Sequence, residues 1–364
     1  MRIAIFYDAF ENAGGGEKLI LTLARGLGAD VISANVNRQV IEQMGFSDVN
    51  VLSLGDSVKL PPLKQMQMSW MFSRADIRGK YDFFIFSGNW AHYASFRHKP
   101  NLWYCLTPTR PFYDLYRPLL EREGFLTGLF FRAWVFAHRR FDQIAVARCE
   151  KIVSDSKNVQ SRVKKYYGRE SAVVYPPIDT KRYHYRKNGD FWLSVNRLYP
   201  EKRVGLQIEA FRELPKERLV IVGGHAKGDH ASGYVKSITE DLPKNVELRG
   251  NVSEEELIGL YADCKGLITT AMDEDFGMTP LEAMASGKPV VAVNEGGYKE
   301  TVIDGKTGRL IPAEKSELIS AIREISLNAK KYKGACLKKA FEFDLVIFIN
   351  KMKHTVGKSA IRGT

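Results

Sequence analysis

The sequence predicts an α/β protein built from two doubly wound, Rossmann-like domains that face each other across a cleft. Three observations carry this prediction. The chain has 364 residues, more than one hydrophobic core ordinarily serves. Apolar, strand-like runs alternate with helix-like segments along its length, and that alternation implies mostly parallel sheets covered on both faces. The polar stretch DTKRYHYRKNGD (179–190) then breaks the pattern just after the stiff pair Pro176-Pro177, as a domain boundary should. The first domain is therefore expected at 1–185 and the second at 186–337. A helix at about 338–356 is expected to pack back on the first domain.

In the first half, the expected strands are IAIFY (3–7), DVISANV (30–36), VNVLSL (49–54), DFFIFSG (82–88), LWYCLT (102–107), KIVSDS (151–156) and AVVYP (172–176). In the second half they are FWLSVN (191–196), RLVIVGG (218–224), NVELRG (245–250), GLITTA (266–271), PVVAVN (289–294) and GRLI (308–311). Segments between them, such as EKLILTLARGL and EEELIGLYADC, have helical apolar spacing. In this architecture ligands bind beyond the carboxyl ends of the strands.

Hydrophobic residues make up 45% of the chain and charged residues 26%, the composition of an ordinary globular protein. The net charge of +12 favours anionic partners without choosing among nucleotides, nucleic acid and acidic membranes. Cys105, Cys149, Cys264 and Cys336 have no short metal-binding spacing, so buried, reduced thiols in a cytoplasm are expected. The N-terminal MRIAIFYDAF is too short and polar for a signal peptide. No apolar run approaches the length of a membrane span.

The segment DEDFGMTPLEAMASGKPVV holds Glu274 and Glu282 around a strand-to-helix turn. Thr279 suits an N-cap, Pro280 the first helical position, and Glu282 then completes a Thr-x-x-Glu capping box. Gly287, with Pro289 beyond it, suits the helix end. Glu274, in the loop at the strand end, has no such local role. The helix start also offers free amide hydrogens to a phosphate. Both readings of the pair, cap and ligand grip, stand on the sequence alone. The acidic tripeptide at 273–275 is read as loop acidity, with no metal.

These residues resemble the E-x7-E signature of the family 4 retaining glycosyltransferases, which have the GT-B fold, and the mannosyltransferase-like branch in particular. Further similarities keep the family's order: AGGGEKLILTLARGL (13–27), YCLTPTRPFYD (104–114), SDSKNVQSRVKKYYG…VVYPPIDTKRY (154–183), SVNRLYPEKRVGLQIEAF (194–211), LRGNVSEEELIGLYADC (248–264) and EGGYKETVIDGKTGRLI (295–311). The resemblance implies a nucleotide diphosphate sugar donor, GDP-mannose favoured over a UDP-sugar, with no cofactor and no metal. It implies that Glu282 meets the ribose and Glu274 the donor sugar. The backbone of Phe276, Gly277, Met278 and Thr279 would lie along phosphates and sugar. Arg197 and Lys202 would grip the diphosphate and, with Glu274, serve catalysis. Gly250 and Asn251 would edge the base, and Gly14, Gly15 and Gly16 would approach the donor phosphates. Relatives carry a histidine just before the Thr-Pro, where this chain has Leu106. His92 is the candidate substitute and Arg110 a candidate for an acceptor phosphate, both on the acceptor side.

The stretches FLTGLFFRAWVFAHRRF (125–141) and LKQMQMSWMFSR (63–74) mix aromatics with cations. They fit either an anionic membrane surface or plain packing on the first domain. The expected partners are a nucleotide sugar, a glycan or lipid-linked acceptor and an anionic membrane, with no nucleic acid. The expected location is cytoplasmic, peripheral on the inner face of the membrane if those stretches dock. Two alternatives to the retaining hexosyltransferase are a soluble sugar synthase acting on a phosphorylated sugar or glucan, and a catalytically silent sugar-nucleotide-binding subunit. A nucleic-acid-binding protein rests on charge alone, without a recognition motif.

Overall fold

Short runs of β-branched, aromatic and aliphatic residues form thirteen strands in the computed structural model, which describes residues 1–224 and 232–362. They divide between two units, Met1–Pro176 with Phe348–Thr364, and Pro177–Ile347.

Unit 1 holds β1 (Ile3–Phe10), β2 (Asp30–Val36), β3 (Val51–Ser53), β4 (Phe83–Ser87), β5 (Asn101–Cys105), β6 (Lys151–Ser154) and β7 (Ala172–Val173). They form one sheet in the order β3-β2-β1-β4-β5-β6-β7, and every pairing is parallel. β4 and β5 are buried at every position, which explains their nearly unbroken apolar sequences: both faces are covered. Helix Gly15–Leu27 packs on one face and helices Leu63–Arg74 and Phe125–Ala147 on the other.

Unit 2 holds β8 (Phe191–Val195), β9 (Arg218–Val222), β10 (Val246–Gly250), β11 (Gly266–Thr269), β12 (Val290–Val293) and β13 (Gly308–Ile311). The order is β10-β9-β8-β11-β12-β13, again all parallel. In each sheet the strand order reverses beside the first strand, between β1 and β4 and between β8 and β11. Such a switch point opens a crevice at the carboxyl ends of the two strands. All four cysteines are buried free thiols.

The boundary differs from the expected 185/186. The start of the polar stretch belongs to unit 2, because Ile178 N–H donates to Phe343 O and Leu345 N–H to Ile178 O. Composition marks where chain is exposed, whereas these long-range backbone bonds fix where it belongs. The tail also divides. Helix Lys333–Phe341 lies in unit 2, and only from Phe348 does helix Leu345–Arg362 join unit 1, where Phe348, Met352 and Val356 enter the core.

Candidate functional site

The loops after β8, β11 and β12 are tied into one assembly at the switch point of unit 2. Met272 N–H donates to Glu201 O at 2.7 Å, and Gly297 N–H to Glu274 O at 2.8 Å. The Thr270 hydroxyl donates to Lys202 O at 2.9 Å and accepts from the buried Gln207 amide at 2.8 Å. These bonds leave little freedom to the charged groups the loops carry.

Lys202 Nζ stands 2.6 Å from Glu274 Oε2, and both side chains are only about a quarter exposed. The expected cation and acid thus meet directly, one from the loop after β8 and the other from the loop after β11. Beside them Arg203, in a left-handed conformation at φ 50°, places a guanidinium nitrogen 2.7 Å from Glu295 Oε1. The second oxygen of Glu295 accepts from Asp273 N–H at 3.2 Å. Glu295 therefore holds both the β8 loop and the backbone next to Glu274. Sequence reading missed it: its partners are 92 and 22 positions away, so no local spacing announces it.

Helix Met278–Ala285 follows the Glu274 loop, and its N-cap is Gly277 at φ 87° with no side-chain cap. A Cβ at Gly277 would lie 2.6 Å from the Tyr298 ring, so both the left-handed turn and the close aromatic demand glycine there. This corrects the expected cap. The helix starts one residue before Thr279, which places Thr279 and Pro280 inside the first turn, and no capping box forms. Glu282 instead accepts from the Tyr261 hydroxyl at 2.7 Å, with Tyr183 beside it. Burial first, and then the Glu282 charge, push the pKa of both phenols up, so they remain donors to a carboxylate. The C-terminal reading differs little: Gly287, at φ 70°, closes a turn in which Gly287 and Lys288 N–H reach Met284 O and Ala283 O. The Phe276 ring is buried against Phe343, so only its backbone fronts the loop.

Arg197 is exposed on the loop after β8. Leu198 N–H donates to Gly224 O and Gly223 N–H to Gly250 O, which brings the Arg197 loop and the Gly250-Asn251 turn to the same edge of the sheet. Gly14, Gly15 and Gly16 belong to unit 1, where Gly14 caps helix Gly15–Leu27. A Cβ on Gly16 would fall 2.9 Å from the Tyr7 hydroxyl and 3.8 Å from Leu106 Cδ1, so Leu106 neighbours this helix start.

His92 requires correction. It is fully buried, its Nε2 lies 2.9 Å from Asp142 Oδ1, and its ring packs against Tyr93 and Trp103. Asp142 also accepts from the Tyr113 and Tyr167 hydroxyls. The short helix Ala91–Phe96 turns the imidazole inward, so it faces no acceptor. Arg110 is paired with Asp114 at 2.7 Å.

Residues 177–339 match the family described as Glycosyl transferases group 1. Unit 2 is thus a glycosyl transferases group 1 domain, and the two parallel-sheet units are those of the GT-B fold. The chain superposes on Anabaena Alr3699/HepE, solved in complex with UDP and glucose, with a TM-score of 0.77 at 20% identity over 98% of this chain and 99% of that one. It is 28% identical to the alpha-1,3/1,6-mannosyltransferase ALG2 of Dictyostelium discoideum over 52% of this chain and 56% of that protein. It is 30% identical to the GDP-Man:Man(3)GlcNAc(2)-PP-Dol alpha-1,2-mannosyltransferase of Mus musculus over 45% of this chain and 38% of that protein. The chain spans about half the length of the curated relatives it matches. Among the described residues, no helix is long and apolar enough to cross a membrane.

Proposed function

We propose that the protein is a retaining glycosyltransferase that moves a hexosyl group from a nucleotide diphosphate sugar, GDP-mannose before a UDP-sugar, to a glycan or lipid-linked acceptor. The observation that carries this reading is the Lys202–Glu274 pair at the unit 2 switch point, beside a helix start whose N-cap, Gly277, supplies no side-chain cap. Mannosyltransferases among the relatives support the donor and the acceptor class.

The chemistry follows from charge. Cleaving the anomeric bond leaves a nucleoside diphosphate whose oxygens gain negative charge. Lys202 and the amides of Met278 and Thr279, held by the bonds between the loops, stabilise that charge together with the exposed Arg197, without a metal. Glu274 takes the sugar hydroxyls and, when donor binds, shares Lys202 with the phosphates. Glu282, already oriented by Tyr261, accepts from the ribose hydroxyls. The sugar passes through an oxocarbenium-like state. Displacement from the same face lets the departing phosphate oxygen take the acceptor's proton, and the configuration is retained.

The test is turnover of GDP-mannose and UDP-glucose by the wild type and Glu274→Gln, with the anomeric configuration of the product read by NMR. The variant should lose about a hundredfold or more in turnover, the scale for removing one fixed polar contact to a transition state, while its melting temperature is kept. Near-wild-type turnover rejects the role of Glu274, and an inverted product rejects retention.

A further inference from the structure

Helix Phe125–Ala147 buries Val135, His138, Asp142, Ala145 and Val146 on its inner side. Its outer side carries Phe125, Leu129, Arg132, Phe136, Arg140 and Ile144, spaced so that all fall on one face. Phe125 is 89% exposed and Phe136 62%, and adjacent Phe130 is 77% exposed. Helix Leu63–Arg74 repeats the design. It buries Met68 and Phe72 in the same core layer that takes Ala145 and Val146. Outward it presents Leu63, Met66, Trp70 and Arg74, with Trp70 61% exposed. Both helices therefore cover one face of the unit 1 sheet and turn an apolar, aromatic surface away from it. Exposed aromatic and aliphatic side chains clustered along a helix face mark an interaction surface.

Charge identifies the occupant. Neither helix exposes a carboxylate, because the single acid, Asp142, is buried. Among the described residues, Arg74, Arg132 and Arg140 enter no ion pair, and Arg140 lies over the Phe136 ring at 4.4 Å. Unpaired guanidiniums between aromatic rings suit a plane of anionic headgroups above acyl chains. The nearest exposed acid, Glu123, lies just before helix Phe125–Ala147, beside Phe125 and Arg132, so a second copy docked through the same face would still oppose mostly arginine to arginine, which disfavours a symmetric dimer. We propose that the outward faces of helices Leu63–Arg74 and Phe125–Ala147 dock unit 1 on an anionic lipid bilayer. The inference deepens the lipid-linked acceptor reading and rests on it for its purpose, while the docking itself requires no donor and no turnover.

The test is sedimentation of the full chain with phosphatidylcholine vesicles and with vesicles that also contain phosphatidylglycerol, together with its mass in solution. The protein should be monomeric and should sediment with the anionic vesicles, less so as salt rises. Phe130→Ser and Trp70→Ser should each weaken partitioning about tenfold, the scale for losing one buried aromatic, and Arg132→Gln should lessen the preference for phosphatidylglycerol. GDP binding measured on the same variants shows that they are folded and separates failure of this face from failure of the donor site. Equal binding to both vesicle types overturns the proposal. So do the absence of vesicle binding and a dimer that the serine variants dissociate.

Discussion

Glu295 shows how a residue outside the motif can position one inside it. One of its oxygens holds Arg203 and the other the Asp273 amide, the residue before Glu274. Glu295→Gln keeps an acceptor for that amide and loses the charge facing Arg203, whereas Glu295→Ala loses both. Turnover should fall about tenfold in the first and further in the second, the scale on which small misplacements act. Nucleoside diphosphate affinity, which the proposed function assigns to Arg197 and Lys202, should change little, so kcat falls without a matching loss in binding. Equal losses in both quantities would show that Glu295 binds the donor itself. At this scale the sequence was legible where charged residues sit inside a motif, as Glu274 and Lys202 do. It was not legible for Glu295, whose role is set by two distant loops. Nor was it for His92, where nearness to a strand end said nothing of which way the side chain turns.

At the level of elements, the strand runs were readable because a buried parallel strand must be apolar at nearly every position, and all thirteen form. Helix starts were less so. Thr279 and Pro280 obey capping preferences, yet the close Tyr298 ring and the left-handed turn at Gly277 set the start two residues earlier. A half-buried acid at the other switch point was also missed. The Asp8 carboxylate, at the end of β1, accepts from the amides of Asn89, Trp90 and Ala91 at 2.6 to 2.8 Å and so clamps the loop after β4. Burial is the dominant influence and raises its pKa from 3.8 to about 6, against those amide bonds. Between these values the unfolded chain gives up its proton while the folded chain keeps it, so Asp8 costs stability progressively as pH rises through that window. Asp8→Asn keeps Oδ1 as acceptor for the Trp90 and Ala91 amides, gives up the bond from Asn89 and does not titrate. Denaturant unfolding from pH 4 to 7 should show the variant gaining on the wild type up to about pH 6 and holding level above it. A difference independent of pH would mean that Asp8 is not shifted.

In the molecule as a whole, each unit has its own task in the proposed reaction. Unit 2 gathers acids and cations at its switch point, while unit 1 carries the open aromatic faces with Arg74, Arg132 and Arg140 among them. The double alternation made both units readable, and the polar stretch after Pro177 located their junction to within ten residues, because long-range backbone bonds rather than composition fix its exact place. The central claim is that the loops after β8 and β11 hold a pyrophosphate. Calorimetric titration of the full chain with GDP and with UDP tests it most directly. Binding should be saturable at one site, stronger for GDP, and weakened about tenfold or more by Lys202→Ala and by Arg197→Ala, the scale of a charge-assisted contact. No binding of either nucleotide, or affinity unchanged in both variants, would contradict it.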